Sequence, residues 1–198
     1  MELLKIAKSN LRKEIKWKLS EMSAREIAEQ SKIITKKLIS NPLYENSKRI
    51  SIYLSMDSEV QTADIVKHMF DSGKLCFIPK FGQSEMSMVK VKSLDDVKSL
   101  PKTKWNISQP ADIDIRENAM LTGGLDLMIM PGMGFTVGGK RLGRGRGYYD
   151  RCIQTYKEIY PKNNLQTIGL AFSQQILEDI PTAEHDITLD LVIRPDSD

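Results

Sequence analysis

Short apolar runs alternate with amphipathic segments along most of this chain, and this alternation limits the folds that it can adopt. The runs are rich in large apolar residues and end at turn residues, which predicts strands. The segments between them have helical periodicity or capping residues. Alternating strands and helices form a mostly parallel sheet with helices on both faces, so a three-layer α/β fold is expected. The predicted strands are residues 50–54, 75–79, 86–91, 125–130, 167–172 and 189–193, and the predicted helices between them are 62–70 and 148–160.

Helical periodicity also marks the first 40 residues. Apolar residues recur at three- and four-residue steps from Leu4 to Met22, which predicts one long amphipathic helix. Ser23 and Glu26 have the spacing of a capping box, so a second helix is expected to begin there and to end at 41–42. Thr62 is a candidate cap for the next helix. No linker composition divides the sequence, so we expect one domain that spans residues 1–198.

Composition and charge exclude several functional classes. With 29 basic and 26 acidic side chains, the net charge of +3 gives no general attraction to nucleic acid or to anionic membranes. Cys76 and Cys152 are too few for a disulfide framework and lack the paired spacing of a zinc site. The start of the chain has no apolar segment typical of a signal peptide, and the stretch 125–135 is too short to span a bilayer. We therefore expect a cytoplasmic protein without a nucleic-acid or membrane partner.

A loop rich in glycine and arginine, residues 138–150, is the strongest functional signal in the sequence. It follows the predicted strand 125–130 and leads into the predicted helix 148–160, which is where open α/β sheets bind ligands. Glycines let main-chain amides approach phosphate oxygens, and arginines bind phosphate with two parallel hydrogen bonds. The loop therefore predicts a phosphate site. Its contributing residues are Gly143, Gly145, Gly147, Lys140, Arg141, Arg144 and Arg146.

Two common phosphate-binding motifs do not fit this loop. Residues 134–140 have the spacing of a P-loop, but Arg141 stands where a Ser or Thr must bind magnesium. Residues 143–147 are spaced GxGxG, whereas the dinucleotide motif is GxGxxG. A solvated arginine-rich turn remains an alternative. A contact with nucleic acid is another, although no wider basic tract supports it.

Two aspartates near the loop are candidate magnesium ligands. Asp150 ends the loop, and Asp190 begins the last predicted strand. Magnesium binds through one or two carboxylates together with substrate phosphates. Each aspartate alone is also typical of a helix end or a surface. His185 and Asp186 resemble a phosphohydrolase dyad, but such sites need more histidines than this sequence contains.

The segment 131–135 together with 141–150 closely resembles the signature of the 5-formyltetrahydrofolate cyclo-ligase family, also called the methenyltetrahydrofolate synthetases. The resemblance implies a fold of the sugar-isomerase and CoA-transferase type, which agrees with the α/β pattern. It also implies magnesium- and ATP-dependent ring closure of 5-formyltetrahydrofolate to 5,10-methenyltetrahydrofolate, with release of ADP and phosphate. Further similarity covers nearly the whole chain, at residues 8–12, 51–56, 59, 76–79, 105–106, 110 and 123–126.

The resemblance implies a set of site residues as well. Arg144 and Arg146 are expected to be catalytic, and Asp150 and Asp190 to bind magnesium. Trp105 is expected either to pack against the pterin ring or to anchor the long loop. The residues expected to bind ATP are Lys8, Ser9, Asn10, Leu11, Arg12, Arg141, Leu142, Gly143, Arg144, Gly145, Arg146, Gly147, Tyr148 and Tyr149. The residues expected to bind folate are Leu54, Glu59, Trp105, Arg144, Gly145, Arg146, Gly147 and Tyr148.

Other interpretations of the same residues remain open. Without the resemblance, Lys8 and Arg12 are the solvated face of an amphipathic helix, Leu54 is a core residue and Glu59 is a loop residue. The loop is also compatible with a catalytically silent protein that binds folate or RNA, and with an enzyme that phosphorylates another small amide or acid. We expect the protein to be a monomer.

Overall fold

The computed structural model describes residues 2–82, 85–103, 106–184 and 186–196. Trp105, a predicted folate contact, lies outside these residues. No helix within these residues is long and apolar enough to cross a membrane. The helices are α1 (Glu2–Ser20), α2 (Ala24–Ile39), α3 (Pro42–Glu45), α4 (Ala63–Asp71), α5 (Leu94–Lys98) and α6 (Tyr148–Ile159). The strands are β1 (Arg49–Ile52), β2 (Leu75–Phe81), β3 (Met86–Val91), β4 (Leu127–Met130), β5 (Gly134–Phe135), β6 (Arg141–Leu142), β7 (Gln166–Leu170) and β8 (Leu191–Ile193).

Six strands form one sheet in the order β3-β2-β1-β4-β7-β8. All neighbouring pairs are parallel except β2 and β3, which are antiparallel. The predicted mostly parallel sheet is therefore confirmed. β5 and β6 pair with each other as a separate antiparallel hairpin. Each contributes only two residues, too few to produce an alternating pattern, and the sequence did not predict them.

The sheet has a core layer on each face. Side chains alternate between the two faces along a strand, so Leu127 and Ile129 of β4 pack in one layer while Met128 and Met130 pack in the other. The first layer is completed by apolar residues of α1, α2 and α4, and the second by those of α6. Because β4 is buried on both faces, it has a continuous apolar sequence. The predicted three-layer arrangement is confirmed.

The capping box that was predicted for α2 is present, but the cap predicted for α4 is not. The Ser23 hydroxyl accepts a hydrogen bond from the Glu26 amide, and the Glu26 carboxylate accepts one from the Ser23 amide. α4 does begin directly after Thr62, yet the Thr62 hydroxyl donates to the Tyr53 carbonyl at 2.8 Å. Thr62 therefore stands at the start of the helix, as predicted, but its hydroxyl does not cap the helix, because it accepts a hydrogen bond from the Ser55 amide at 3.2 Å instead of from the first helical turn.

Candidate functional site

The loop lies beyond the carboxyl end of β4, as the sequence predicted. The chain leaves β4 at Met130, forms the β5–β6 hairpin, and enters α6 through residues 143–147. Gly145 and Gly147 have φ angles of 100° and 64°, which residues other than glycine rarely adopt. The Nε atom of Arg12, on α1, donates to the Gly143 carbonyl at 2.8 Å. The structure therefore brings the predicted cation of the first helix to the loop.

Two cavities meet at this loop. The first, here called the sheet cavity, has a volume of about 130 Å³ and is lined by residues that include Leu54, Glu59, Phe81, Arg144 and Tyr148. The second, here called the helix cavity, has a volume of about 340 Å³ and lies between α1 and the loop. Its lining includes Lys5, Lys8, Arg12, Leu142 and Asp186. Most of the residues predicted to bind folate or ATP thus line one or both of two adjacent cavities.

Among the described residues, the sheet cavity has four aromatic side chains and one well-buried carboxylate, that of Glu59, in its lining. Phe81 and Tyr148 form an edge-to-face pair on its wall, with ring centroids 5.3 Å apart. Glu59 is only 8% exposed, and its carboxylate accepts hydrogen bonds from the Met56 amide at 3.0 Å and from Arg144 at 2.9 Å. Burial raises the pKa of Tyr53, and the neighbouring Glu59 raises it further. The phenol is therefore neutral, and the described carboxylates in the lining of this cavity are those of Glu59 and Asp150.

Positive charge dominates the helix cavity. Lys8 forms an ion pair with Asp186, and Lys5 and Arg12 add two further cations. Burial lowers the pKa of Arg12, while the Asp186 carboxylate acts in the opposite direction. With Arg141, four cations in the described ranges face two carboxylates, Asp186 and Asp150, and this excess of positive charge favours an anionic ligand such as a polyphosphate.

Asp150 lies where the two cavities join and is held by a buried arginine. Arg141 donates from Nη2 to its carboxylate at 2.9 Å, and the Ile187 amide donates to it at 3.3 Å. Arg141 also donates from Nη1 to the Pro131 carbonyl at 3.3 Å, and its guanidinium lies 5.4 Å from the centre of the Tyr149 ring. Both members of the pair line both cavities.

Asp190 is not part of this arrangement. It is exposed and lines neither cavity, and its carboxylate accepts hydrogen bonds from the amide and the hydroxyl of Thr167 at 2.8 and 2.7 Å. Asp186, four residues earlier, lines the helix cavity together with Asp150. The structure therefore favours Asp186 over Asp190 as the partner of Asp150. Sequence reasoning missed Asp186 as a site residue because its position depends on tertiary contacts, in which Asp186 pairs with Lys8 of α1 and the Ile187 amide donates to Asp150 of α6.

The other predicted residues differ in whether they line a cavity. Arg144, Arg146 and Tyr149 line the sheet cavity, and Gly145 lines the helix cavity. Ser9 and Asn10 are exposed and line neither cavity, whereas Leu11 packs against the core. Of the five residues 8–12 predicted to bind ATP, only Lys8 and Arg12 therefore line the helix cavity. No group of three His, Cys, Asp or Glu side chains in the described ranges could hold a metal ion, so a magnesium ion here would depend on one or two carboxylates and on ligand oxygens.

Comparison with known proteins agrees with the resemblance seen in the sequence. The model of the 5-formyltetrahydrofolate cyclo-ligase family matches residues 4–195. The chain belongs to this family. A 5-formyltetrahydrofolate cyclo-ligase of Mus musculus is 49% identical over 197 residues, which cover 96% of this chain and 95% of the mouse protein. A probable 5-formyltetrahydrofolate cyclo-ligase of Caenorhabditis elegans is 38% identical, covering 98% and 95% of the two chains.

A solved structure shares the fold of this family member. The NMR structure of 5,10-methenyltetrahydrofolate synthetase from Aquifex aeolicus superimposes with a TM-score of 0.73 at 26% sequence identity. The match covers 96% of this chain and 94% of the Aquifex protein. The predicted family and the predicted α/β fold are both confirmed.

Proposed function

We propose that this protein converts 5-formyltetrahydrofolate and ATP into 5,10-methenyltetrahydrofolate, ADP and phosphate, with magnesium as a cofactor. The observation that carries this proposal is the meeting of two chemically different cavities at one glycine and arginine loop. One cavity is aromatic with a single buried carboxylate, and the other is cationic. A reaction that transfers a phosphoryl group to a bound heterocycle needs such an adjacent pair of sites.

Folate binding is proposed for the sheet cavity. The aromatic pair Phe81 and Tyr148 offers a surface on which a pterin ring can stack. Glu59 is an acceptor only, so it is suited to the N–H donors of the pterin ring. Arg144, which is 52% exposed and pairs with Glu59, is placed to bind the substrate's oxygen atoms. Leu54 supplies apolar contact.

ATP binding is proposed for the helix cavity. Lys8 and Arg12 approach the loop from α1, and the loop contributes the backbone of Gly143, Gly145 and Gly147. Amides of this loop and charge-assisted bonds from the two cations would hold the phosphates. Asp150 and Asp186 supply carboxylate oxygens in the same cavity, which fits a magnesium ion bound to ATP. Magnesium, when bound, would neutralise part of the phosphate charge.

The proposed reaction proceeds in two steps. The formyl oxygen attacks the γ-phosphorus of ATP, the bond from phosphorus to the bridging oxygen breaks, and ADP leaves with that electron pair. N10 of the folate then attacks the activated formyl carbon, the carbon–oxygen bond breaks, phosphate leaves, and N10 loses its proton. The role of the protein is to position the two substrates and to neutralise charge, which is the main catalytic contribution in phosphoryl transfer. Arg144 and Arg146, both in the lining of the sheet cavity, are proposed to neutralise charge on the transferred group.

Compartment and assembly are part of the proposal. Both cysteines are buried and free, which suits the reducing conditions of the cytoplasm. Both cavities are built from residues of one chain, so the protein is proposed to act as a monomer.

The test is a direct assay of purified protein with 5-formyltetrahydrofolate, magnesium and ATP. The expected result is the ultraviolet absorbance of methenyltetrahydrofolate, formed only when ATP is present. Lys8→Ala should raise the ATP concentration required about tenfold or more, because it removes a charge-assisted hydrogen bond. Lys16→Ala is the matched control, since Lys16 is exposed on the same helix and lines neither cavity.

The absence of ATP-dependent product from folded protein would reject the proposal. Calorimetry would then separate the alternatives. Binding of folate without turnover indicates a silent folate-binding protein, and RNA binding that weakens steeply with salt indicates a nucleic-acid partner. ADP formation with another small amide or acid indicates a related kinase-like reaction.

A further inference from the structure

Four residues line both the sheet cavity and the helix cavity, and Arg141 is the one cation among them within the described part of the chain. The other three are Gly143, Gly147 and Asp150. The remaining cations divide between the cavities. Arg144 and Arg146 line the sheet cavity alone, and Lys5, Lys8 and Arg12 line the helix cavity alone.

We propose that Arg141 is a catalytic residue that contacts the phosphoryl group while it passes from ATP to the formyl oxygen. This inference rests on the proposed function and names a specific residue for its first step. During that step the new bond joins phosphorus to the formyl oxygen, and the bond to the bridging oxygen of ADP breaks. Negative charge is spread over the three equatorial oxygens of the group in transfer. The guanidinium remains protonated throughout and stabilises that charge.

Arg141 is held in one orientation by contacts with other protein groups. Its side chain is 5% exposed, and it is fixed by Asp150, by the Pro131 carbonyl and by the face of Tyr149. It also belongs to β6, so its backbone is part of a paired element. Donors that are fixed before the reaction stabilise a transition state at little cost in reorganisation. Arg144, by contrast, is 52% exposed and bonded to Glu59, which suits substrate binding.

Arg141 retains hydrogen-bonding capacity that the protein leaves unused. A guanidinium has five N–H donors. Nη1 and Nη2 each donate one described hydrogen bond, and the buried Nε atom has no hydrogen-bond partner in the ranges described. An unsatisfied buried donor is costly, and such groups occur at functional sites. Gly143 lies against this group, because a Cβ atom there would be 3.2 Å from Nη1. A side chain at 143 would therefore crowd the guanidinium at the point where the cavities join.

The experiment compares Arg141→Gln and Arg141→Lys with the wild type. We expect Arg141→Gln to lower kcat about 100- to 1,000-fold, as the loss of a fixed transition-state donor does in other enzymes. The dissociation constants for 5-formyltetrahydrofolate and for a non-hydrolysable ATP analogue, measured by calorimetry, should change less than about fivefold. Arg141→Lys should recover part of kcat, since it keeps the charge but not the planar fork. Rapid-quench measurement of ADP in a single turnover should place the loss in phosphoryl transfer.

Arg116→Gln is the matched control for the loss of a poorly exposed arginine. Arg116 is 13% exposed and pairs with Asp96 and Asp114, and it lines neither cavity. The Arg116→Gln variant should be less stable than the wild type, while its kcat stays within about threefold of the wild-type value. Arg141 is not catalytic if the kcat of folded Arg141→Gln stays within about threefold of wild type. It is also not catalytic if weaker binding of the substrates accounts for the whole loss of activity. If Arg141→Gln does not fold, Arg141→Lys decides by the same criteria. Failure of the wild type to form product would overturn the proposed function instead.

Discussion

The Arg141–Asp150 ion pair should show strong energetic coupling, because neither charged group can become fully solvated when its partner is removed. The side chain of Arg141 is 5% exposed and that of Asp150 is 17% exposed. Apart from the bond between them, the described side-chain hydrogen bonds are one from Arg141 to the Pro131 carbonyl and one to Asp150 from the Ile187 amide. Breaking a buried pair from one side costs about 3–5 kcal/mol, and the partial exposure of Asp150 favours the lower end of this range. We therefore expect Asp150→Ala to lower the free energy of unfolding by about 3 kcal/mol.

A double-mutant cycle tests this magnitude. At about 2–4 °C per kcal/mol for a protein of this size, Asp150→Ala should lower Tm by about 6–12 °C. Arg141→Met should cost about 2 kcal/mol, since the carboxylate left behind keeps some contact with water. The double variant contains neither charge, so its loss should fall short of the sum of the single losses by about 2 kcal/mol. Urea unfolding midpoints and slopes measure all four proteins.

The Arg144–Glu59 pair, in which the arginine is exposed and the glutamate is buried, is the internal comparison. Because Arg144 is 52% exposed, its coupling to Glu59 should be about 1 kcal/mol or less. Additive losses at Arg141 and Asp150 would refute the reasoning, since they would mean that Asp150 does not hold the guanidinium. The argument for a fixed Arg141 would then lose its support.

Three further predictions follow from the same structure. Asp186→Asn should raise the magnesium concentration needed for half-maximal turnover about tenfold or more, whereas Asp190→Asn should leave it unchanged, and the reverse order in a magnesium titration would restore Asp190 as the ligand. Burial raises the pKa of Cys76 to about 12 and that of Cys152 to about 11, so iodoacetamide at pH 8 should label neither thiol until the protein is unfolded. These raised pKa values stabilise the fold fully below the unfolded thiol pKa of about 8.5, and this contribution should decline as the pH rises from there towards 11; urea midpoints that do not fall over this range would contradict it. Gly169→Ala should cost about 1–3 kcal/mol, because the new Cβ would lie 2.6 Å from Phe135 and 2.8 Å from Leu189, and an unchanged urea midpoint would show that the core can yield there.

Elements with a strong local pattern were predicted from the sequence within a few residues. The capping box at Ser23 and Glu26 correctly placed the start of α2, and the apolar run ending at Met130 correctly identified β4. Both signals depend on side chains that are close together in the chain. Thr62 was the exception, since its hydroxyl bonds to the distant Tyr53 carbonyl and does not cap α4.

The antiparallel direction of β3 was not predicted, although the six residues between the predicted strands 75–79 and 86–91 are too few for a parallel crossover. The strands β5 and β6 could not be predicted, because a two-residue strand has no measurable periodicity. In the candidate site, the loop itself and the cations Lys8 and Arg12 were identified from sequence through the family signature. The choice between Asp186 and Asp190 was not, because both lie in the same short stretch of sequence and only packing separates them.

The sequence by itself determined the α/β class, the position of the glycine and arginine loop and the family, because these depend on local periodicity and on one continuous motif. Only the tertiary structure decided that two cavities share the loop and that Arg141 and Asp150 lie in the wall common to both. The two cavities are assembled from segments near residues 12, 59, 81, 141–150 and 186, which the chain brings together by burying apolar faces of its helices and strands. Burial of those faces constrains the fold without specifying which polar side chains meet, so the partners of each charged group became visible only in the folded chain.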